Sequence, residues 1–308
     1  MLKLGFITDI HHCDPQLTSH GIVADGHLRE ILAKLKLESV MALIDLGDRA
    51  TETDSLVGDH ALLLEVAEVF KTFEKPQLHL NGNHDLVRMT PVDNAAMLGG
   101  PVGSHVMELD GFELIVWQLN PRFAQMGRAL EIAATDLEWL RETLKNSHKP
   151  SLILTHFPLD GAAMIANFYF EGAGQLLSGY SNSAAAREII CASDFVVACV
   201  SGHTHWNRLT TIDGIHFITL QSMTENATTY PHPALSYATL EISDQQFHWT
   251  VYGADRVQYQ LPLRPTGLHW RRTPPALRAR FERLVAAPSA YLEPPPEAEL
   301  EDIKNFRR

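Results

Sequence analysis

The sequence predicts an α/β protein built on mixed β-sheets. Two observations lead there. Through the first half, apolar runs of strand length alternate with helical patterns, as parallel βαβ units require. After about Gly202 strand-like runs follow one another with only turns such as Asp213-Gly214 between them, which favours antiparallel pairing.

The strand-length runs are Leu2 to Thr8, Val40 to Leu46, Gln77 to Leu80, Phe112 to Trp117, Ser151 to Leu154, Phe195 to Val200, Ile215 to Leu220 and Leu235 to Ile242. Helical periodicity lies between the early ones. Leu28, Ile31, Leu32 and Leu35 fall at i, i+3, i+4 and i+7, and Leu62, Val66, Val69 and Phe73 keep a similar face. A third helix is expected over Thr135 to Leu144, where Thr135 and Glu138 have the spacing of a capping box, and another over Ala184 to Cys191. From Pro262 the composition shifts to scattered Arg and Glu among Pro265, Pro274, Pro275, Pro288 and Pro294 to Pro296. This predicts one main domain over 1–261 and a surface-wrapping extension over 262–308, with one helix near Ala276 to Val285 and a possible role in homo-oligomerisation.

A net charge of −12 argues against binding a nucleic-acid duplex, which needs many cations set against phosphates. A small anionic substrate is still compatible if bound metals make its site locally positive. No stretch reaches the roughly 18 apolar residues of a membrane span. The N-terminus reads as a strand without a signal-peptide cleavage site, and Cys13, Cys191 and Cys199 form neither a disulfide framework nor a CxxC metal site. A reducing cytoplasm is the expected location.

Five strand-like runs end in residues that ligate metals. Asp9 and His11 follow the first, Gly47-Asp48 the second, Gly82-Asn83-His84-Asp85 the third, His156 the fifth and Gly202-His203-Thr204-His205 the sixth. Ligands of open α/β sheets bind beyond the carboxyl ends of the strands, so five such ends can converge on one site. Carboxylate oxygen and imidazole nitrogen suit hard and borderline divalent metals. In extended chain, residues two apart point the same way, so Asp9 with His11 and His203 with His205 can each aim at one centre.

With these motifs in order (DxH, GD, GNHD, a lone H, GHxH), the chain resembles the calcineurin-like metallophosphoesterase family over about residues 1 to 220. The resemblance implies a four-layer αββα sandwich of two mixed sheets flanked by helices, and a dinuclear centre of divalent or mixed-valence ions drawn from manganese, iron, zinc or cobalt. It places Asp9, His11 and His205 on one metal and Asn83, His156 and His203 on the other, with Asp48 bridging. The implied reaction is in-line attack by metal-activated water on a small phosphoester, with a phosphodiester favoured over a monoester or pyrophosphate. His84 is expected to protonate the leaving oxygen or steady the phosphoryl charge, and Asp85 to orient His84 or its neighbours. A non-catalytic scaffold is the rival from another class. Against it stand seven intact ligand positions and His84.

Four further features are open on sequence alone. Arg49 can reach the substrate phosphate or pair with Glu52 or Asp54. Phe168, Tyr169, Phe170 and Tyr180, in a glycine-containing stretch after His156, can stack a flat substrate group or pack as core. His12 and Cys13, directly after the first ligand pair, can line the site or pack beside it. Glu225 and Asn226 are weaker candidates for substrate contact.

Overall fold

In the computed structural model, residues 1–14, 18–120, 130–243, 246–265, 267–271, 273, 275–287 and 297 are described. Contacts divide the chain into two compact units, Met1–Leu268 and His269–Arg308. The prolines at 274, 288 and 294–296 lie outside the described residues.

Twelve described strands and five helices build the first unit. In chain order they are β1 (Leu2–Ile7), α1 (Ala24–Leu37), β2 (Ala42–Asp45), α2 (Leu56–Phe70), β3 (Gln77–His79), α3 (Pro91–Leu98), β4 (His105–Leu109) and β5 (Phe112–Val116). Then come α4 (Ala134–Asn146), β6 (Ser151–Leu154), α5 (Ser183–Ala192), β7 (Val196–Ser201), β8 (Arg208–Ile212), β9 (Ile215–Thr219), β10 (Tyr237–Ile242), β11 (Gln246–Tyr252) and β12 (Gln258–Pro262). The second unit holds α6 (Pro275–Ala286), where the sequence places a helix.

The strands form two six-stranded sheets, ordered β12-β11-β10-β1-β2-β3 and β4-β5-β6-β7-β9-β8. Both are mixed: β1, β2 and β3 run parallel, as do β5, β6, β7 and β9, while the outer partners are antiparallel. Asp213 and Gly214 join β8 to β9, both with positive φ as the tight hairpin turn demands.

Side-chain alternation along the strands sets the layers. Leu4 and Phe6 of β1 and Leu152 and Leu154 of β6 enter one cluster with Leu114, Val200 and Trp249, so residues from both sheets share this core. The intervening Ile153 packs instead with Leu140 and Ile190 of α4 and α5, and Ile7 with Leu32 and Val66 of α1 and α2. Two mixed sheets thus face each other with helices outside, as the resemblance implied.

One expectation is corrected, and one element is added. The capping box at Thr135 does not form, because α4 begins one residue earlier with Ala133 at its N-cap and no side-chain cap. A capping box does open α3, where the Thr90 hydroxyl accepts from the Asp93 amide and the Asp93 carboxylate accepts from the Thr90 amide. That helix was missed in the sequence, although Thr90-Pro91-x-Asp93 carried its signal.

Candidate metal centre

All five ligand-bearing loops leave the carboxyl ends of parallel strands: β1, β2 and β3 of one sheet, β6 and β7 of the other. Backbone hydrogen bonds stitch them together. The Asp9 amide donates to the Gly47 carbonyl, the His11 amide to Asp48, and the Gly202 amide to His156. Crowding here is severe enough to require glycine twice. A Cβ on Gly82 would enter the Asp48 carboxylate, and one on Gly202 would collide with the Thr8 hydroxyl and Asp9.

The backbone itself is unusual at the ligand positions. Asp9, His11, Asp48, His203 and His205 have φ of 49°, 46°, 56°, 68° and 50°, in the left-handed region that non-glycine residues seldom occupy. Such conformations persist only where the surroundings over-determine them, and they gather at functional sites. Here five fall on one cluster.

Seven side chains meet in it. Nε2 of His11 lies 3.0 Å from Nε2 of His205, which is 3.3 Å from Oδ1 of Asp9. On the other side, Nε2 of His156 is 3.2 Å from Oδ2 of Asp48 and 3.3 Å from Oδ1 of Asn83. Ligand atoms of Asp9, His11 and His205 form one group within 4.8 Å of one another, and those of Asp48, His156 and His203 another. The two ligand sets that the resemblance implies draw on these same residues, with Asp48 as the implied bridge, and Asn83 lies beside the second group.

The donor chemistry fits a pair of cations. Asp9 uses Oδ2 to accept from the Thr8 hydroxyl and the His203 amide, while its Oδ1 is buried with no hydrogen-bond partner and faces His205 and His11. Two imidazole nitrogens 3.0 Å apart cannot both carry a proton, so at least one of His11 and His205 presents a lone pair inward. Three of the four histidines are hydrogen-bonded through their other nitrogen, and the fourth has a carboxylate nearby. His156 Nδ1 donates to the Leu46 carbonyl, His203 Nε2 donates to the Leu177 carbonyl, His11 Nδ1 meets the Thr51 hydroxyl, and His205 Nδ1 lies 3.4 Å from Glu225. Anchoring of this kind fixes the tautomer and ring orientation of metal-binding histidines.

Electrostatics point the same way. Burial opposes the charge on Asp9, yet the neighbouring His205 holds its carboxyl down at about 2, and Asp48 is likewise kept well below the usual range against burial by His156 and His84. His156 and His205 are pushed up to about 9 and about 10 because Asp48 and Asp9 outweigh their burial. His11 and His203 fall to about 3, through burial first and then through cationic histidine neighbours. Two buried carboxylates therefore stay ionised only with positive charge beside them. Cations competing for the same nitrogens would displace those protons.

His84 stands at the edge of this group, its ring 4.9 Å from His11. Burial works against its charge, but Asp48 and Glu52 raise it to about 9. Glu52 Oε2 lies 2.6 Å from its Nδ1, so Glu52, which no motif marks, orients this histidine. Asp85 takes the other of its two expected roles and holds neighbours of His84 rather than His84 itself. Its carboxylate accepts from the amides of Asp48, Arg49 and Gly82 and so braces the loops that carry Asp48 and Asn83.

Arg49 is a second correction. Its side chain is fully buried, and it donates to the Asp45 carboxylate, the Leu80 carbonyl, Asn81 and Asn94. It reaches neither the cleft nor Glu52 or Asp54; no apolar environment would tolerate a guanidinium without such partners.

A cleft of about 320 Å³ opens over the cluster, lined by His11, Asp48, Asn83, His84, His203 and His205 together with Asp14, Tyr169, Phe170 and Leu177. Phe170 packs 4.9 Å from the His203 ring, and Tyr169 5.4 Å from that of His205. The Tyr169 hydroxyl donates to Glu225 at 2.5 Å, and burial first, then Glu225, raises its pKa. Two aromatics of the stretch after His156 thus wall the cleft, whereas Tyr180 is buried in the core beside Phe157. Glu225 contacts His205 and Tyr169, and the Asn226 amide donates back to Glu225.

The family model described as calcineurin-like phosphoesterase matches residues 2–207. No curated protein matches the chain. Among solved structures, a dimetal phosphatase from Danio rerio is similar at 14% identity with a TM-score of 0.70, covering 85% of this chain and 99% of that one. Purple acid phosphatase PPD1 from yellow lupin seeds is similar at 11% identity with a TM-score of 0.56, covering 89% of this chain and 57% of that one. A putative 5'-nucleotidase from Staphylococcus aureus follows at 12% identity and a TM-score of 0.51, covering 92% of this chain and 58% of that one. At these identities the three share the fold.

Proposed function

The chain belongs to the calcineurin-like phosphoesterase family, whose chemistry is metal-dependent phosphoester hydrolysis, and on that footing we propose that its substrate is a small phosphodiester. Asp9, His11 and His205 would hold one metal, Asn83, His156 and His203 the other, and Asp48 would lie between them. Donor chemistry allows manganese, iron, zinc or cobalt.

One observation carries the choice of a diester. Beside the catalytic cleft is a second hollow of about 190 Å³, lined by Phe168, Tyr169, Thr204, His205, Trp206 and Thr228. It shares His205 and Tyr169 with the cleft, so a group leaving phosphorus on that side finds a partly aromatic wall. A diester has substituents on two of its oxygens, and two adjacent hollows suit it better than a monoester.

When bound, the metals supply the positive charge that grips phosphoryl oxygens and activates water. The remaining work falls to this chain's side chains. His84, held by Glu52, would give its proton to the departing oxygen. Phe170 and Leu177 line the cleft and reduce access of bulk water. Asp85 keeps the Asp48 and Gly82 amides in place from behind.

The test compares bis(p-nitrophenyl) phosphate with p-nitrophenyl phosphate on manganese-loaded protein, with chelated protein as control. Faster, chelator-sensitive cleavage of the diester is expected. Preference for the monoester would overturn the substrate assignment, and inactivity with every metal would favour a scaffold.

A further inference from the structure

The turn after His11 brings together three donors that the catalytic centre does not use. His12 points away from the cleft, its Nε2 2.7 Å from Oε2 of Glu65 on α2 and 3.6 Å from Sγ of Cys13. The thiol, imidazole and carboxylate ligand atoms lie within 4.8 Å of one another. His12 is buried, while Cys13 and Glu65 are exposed, so the group is open to ions from solvent on one side.

A hydrogen-bonded Cys-His-Glu relay is excluded by which atoms meet. Such a relay needs the thiol on one ring nitrogen and the carboxylate on the other. Here both approach Nε2, and Nδ1 is buried without a partner. Convergence on one nitrogen is what a shared cation would produce.

The nitrogen–sulfur distance agrees with a thiophilic divalent ion, whereas Glu65 stands at hydrogen-bond distance from the imidazole. Zinc–nitrogen bonds of about 2.0–2.1 Å and a zinc–sulfur bond of about 2.3 Å, at a tetrahedral angle, separate N and S by about 3.5 Å. The observed separation is 3.6 Å. Nitrogen and oxygen would stand about 3.4 Å apart on the same reckoning. Glu65 must therefore draw back by less than an ångström, which an exposed helix side chain can do.

The backbone presents these donors on fixed supports. His12 is bridged to Ala50, its amide donating to the Arg49 carbonyl and its carbonyl accepting from Thr51, and the Cys13 amide donates to Gly21. Cys13 has a φ of 62°, a strained conformation with no role in the dinuclear cluster.

We propose that His12, Cys13 and Glu65 form a separate site for a zinc-class divalent ion, with solvent completing its coordination, that ties the turn carrying His11 to α2. Binding releases the Cys13 thiol proton to solvent, and no redox step is involved. The site is independent of the phosphodiester assignment, because the catalytic cluster contains no sulfur.

Cobalt-loaded protein tests it, since thiolate coordination gives a charge-transfer band in the near ultraviolet that oxygen and nitrogen ligands do not. We expect this band in the full chain, its loss in Cys13→Ser, weakening in Glu65→Ala, and one metal equivalent fewer in Cys13→Ser by elemental analysis. Zinc should compete the band away. No thiolate band, or equal metal content in the full chain and Cys13→Ser, would overturn the site whatever the outcome of the phosphodiester assay.

Discussion

Oε2 of Glu52 lies 2.6 Å from Nδ1 of His84, and the two half-buried side chains form an ion pair at the lip of the metal cluster. Glu52→Gln keeps the hydrogen-bonding shape and removes the charge. We expect kcat to fall about 10–100-fold with metal content unchanged, the range typical of lost supporting groups around a metal site. His84→Ala should be worse, at about 10²–10⁴-fold for a lost proton donor. Steady-state kinetics with parallel metal analysis checks both, and a Glu52→Gln enzyme as fast as the parent would remove Glu52 from the mechanism.

Glu225 should act on metal affinity instead. It lies 3.4 Å from His205 Nδ1 and accepts from Tyr169. Glu225→Gln is expected to weaken binding at the Asp9, His11 and His205 position about 10–100-fold. Titrating metal into chelated protein measures this directly; unchanged affinity would reduce Glu225 to a wall residue.

These two carboxylates also show what could be read in the sequence and what could not. The gathering of candidate ligands at strand ends was legible, because the motif and the fold constrain the same few positions. Glu52 and Glu225 were not identified as partners of His84 and His205. Each reaches its histidine from a loop, through contacts spanning 32 residues for Glu52 and about 20 for Glu225, and no spacing rule encodes that. Arg49 misled for a related reason: it follows a ligand in sequence, yet the chain turns its side chain inward. The parallel strands were legible from their apolar runs, whereas β4, β8 and β12, half-buried edge strands with mixed faces, and β11, paired on both sides but alternating buried with more exposed residues, were not listed among the runs.

Arg49 should report on stability. With its side chain buried against Asp45, Arg49→Ala takes the guanidinium from a buried ion pair and leaves that carboxylate only His79 and the Gly47 amide; breaking such a pair typically costs about 3–5 kcal/mol. Chemical denaturation measures the loss. A variant with normal stability and a raised KM would restore the substrate-binding role.

His216 on β9 offers a pH test away from the site. Burial lowers its pKa below the ordinary 6.5, although the Pro262 carbonyl opposes the shift. Below 6.5 the unfolded chain takes up a proton that the folded one resists, so this residue makes the protein less stable as pH falls toward the depressed value. His216→Gln removes the linkage, and its melting temperature should decline less than the parent's between about pH 7.5 and about pH 5.5. Parallel declines would show that His216 contributes nothing to acid sensitivity.

The left-handed backbone at Asp9, His11, Asp48, His203 and His205 has an evolutionary reading. Glycine would relax each position and abolish its ligand, so for this part of the chain the sequence that folds best is one that cannot bind metal. A lineage released from catalysis would be expected to drift toward glycine there first, gaining stability as it lost chemistry. Five side chains held in conformations that glycine would relax are the structural cost of gathering five donors on one cluster.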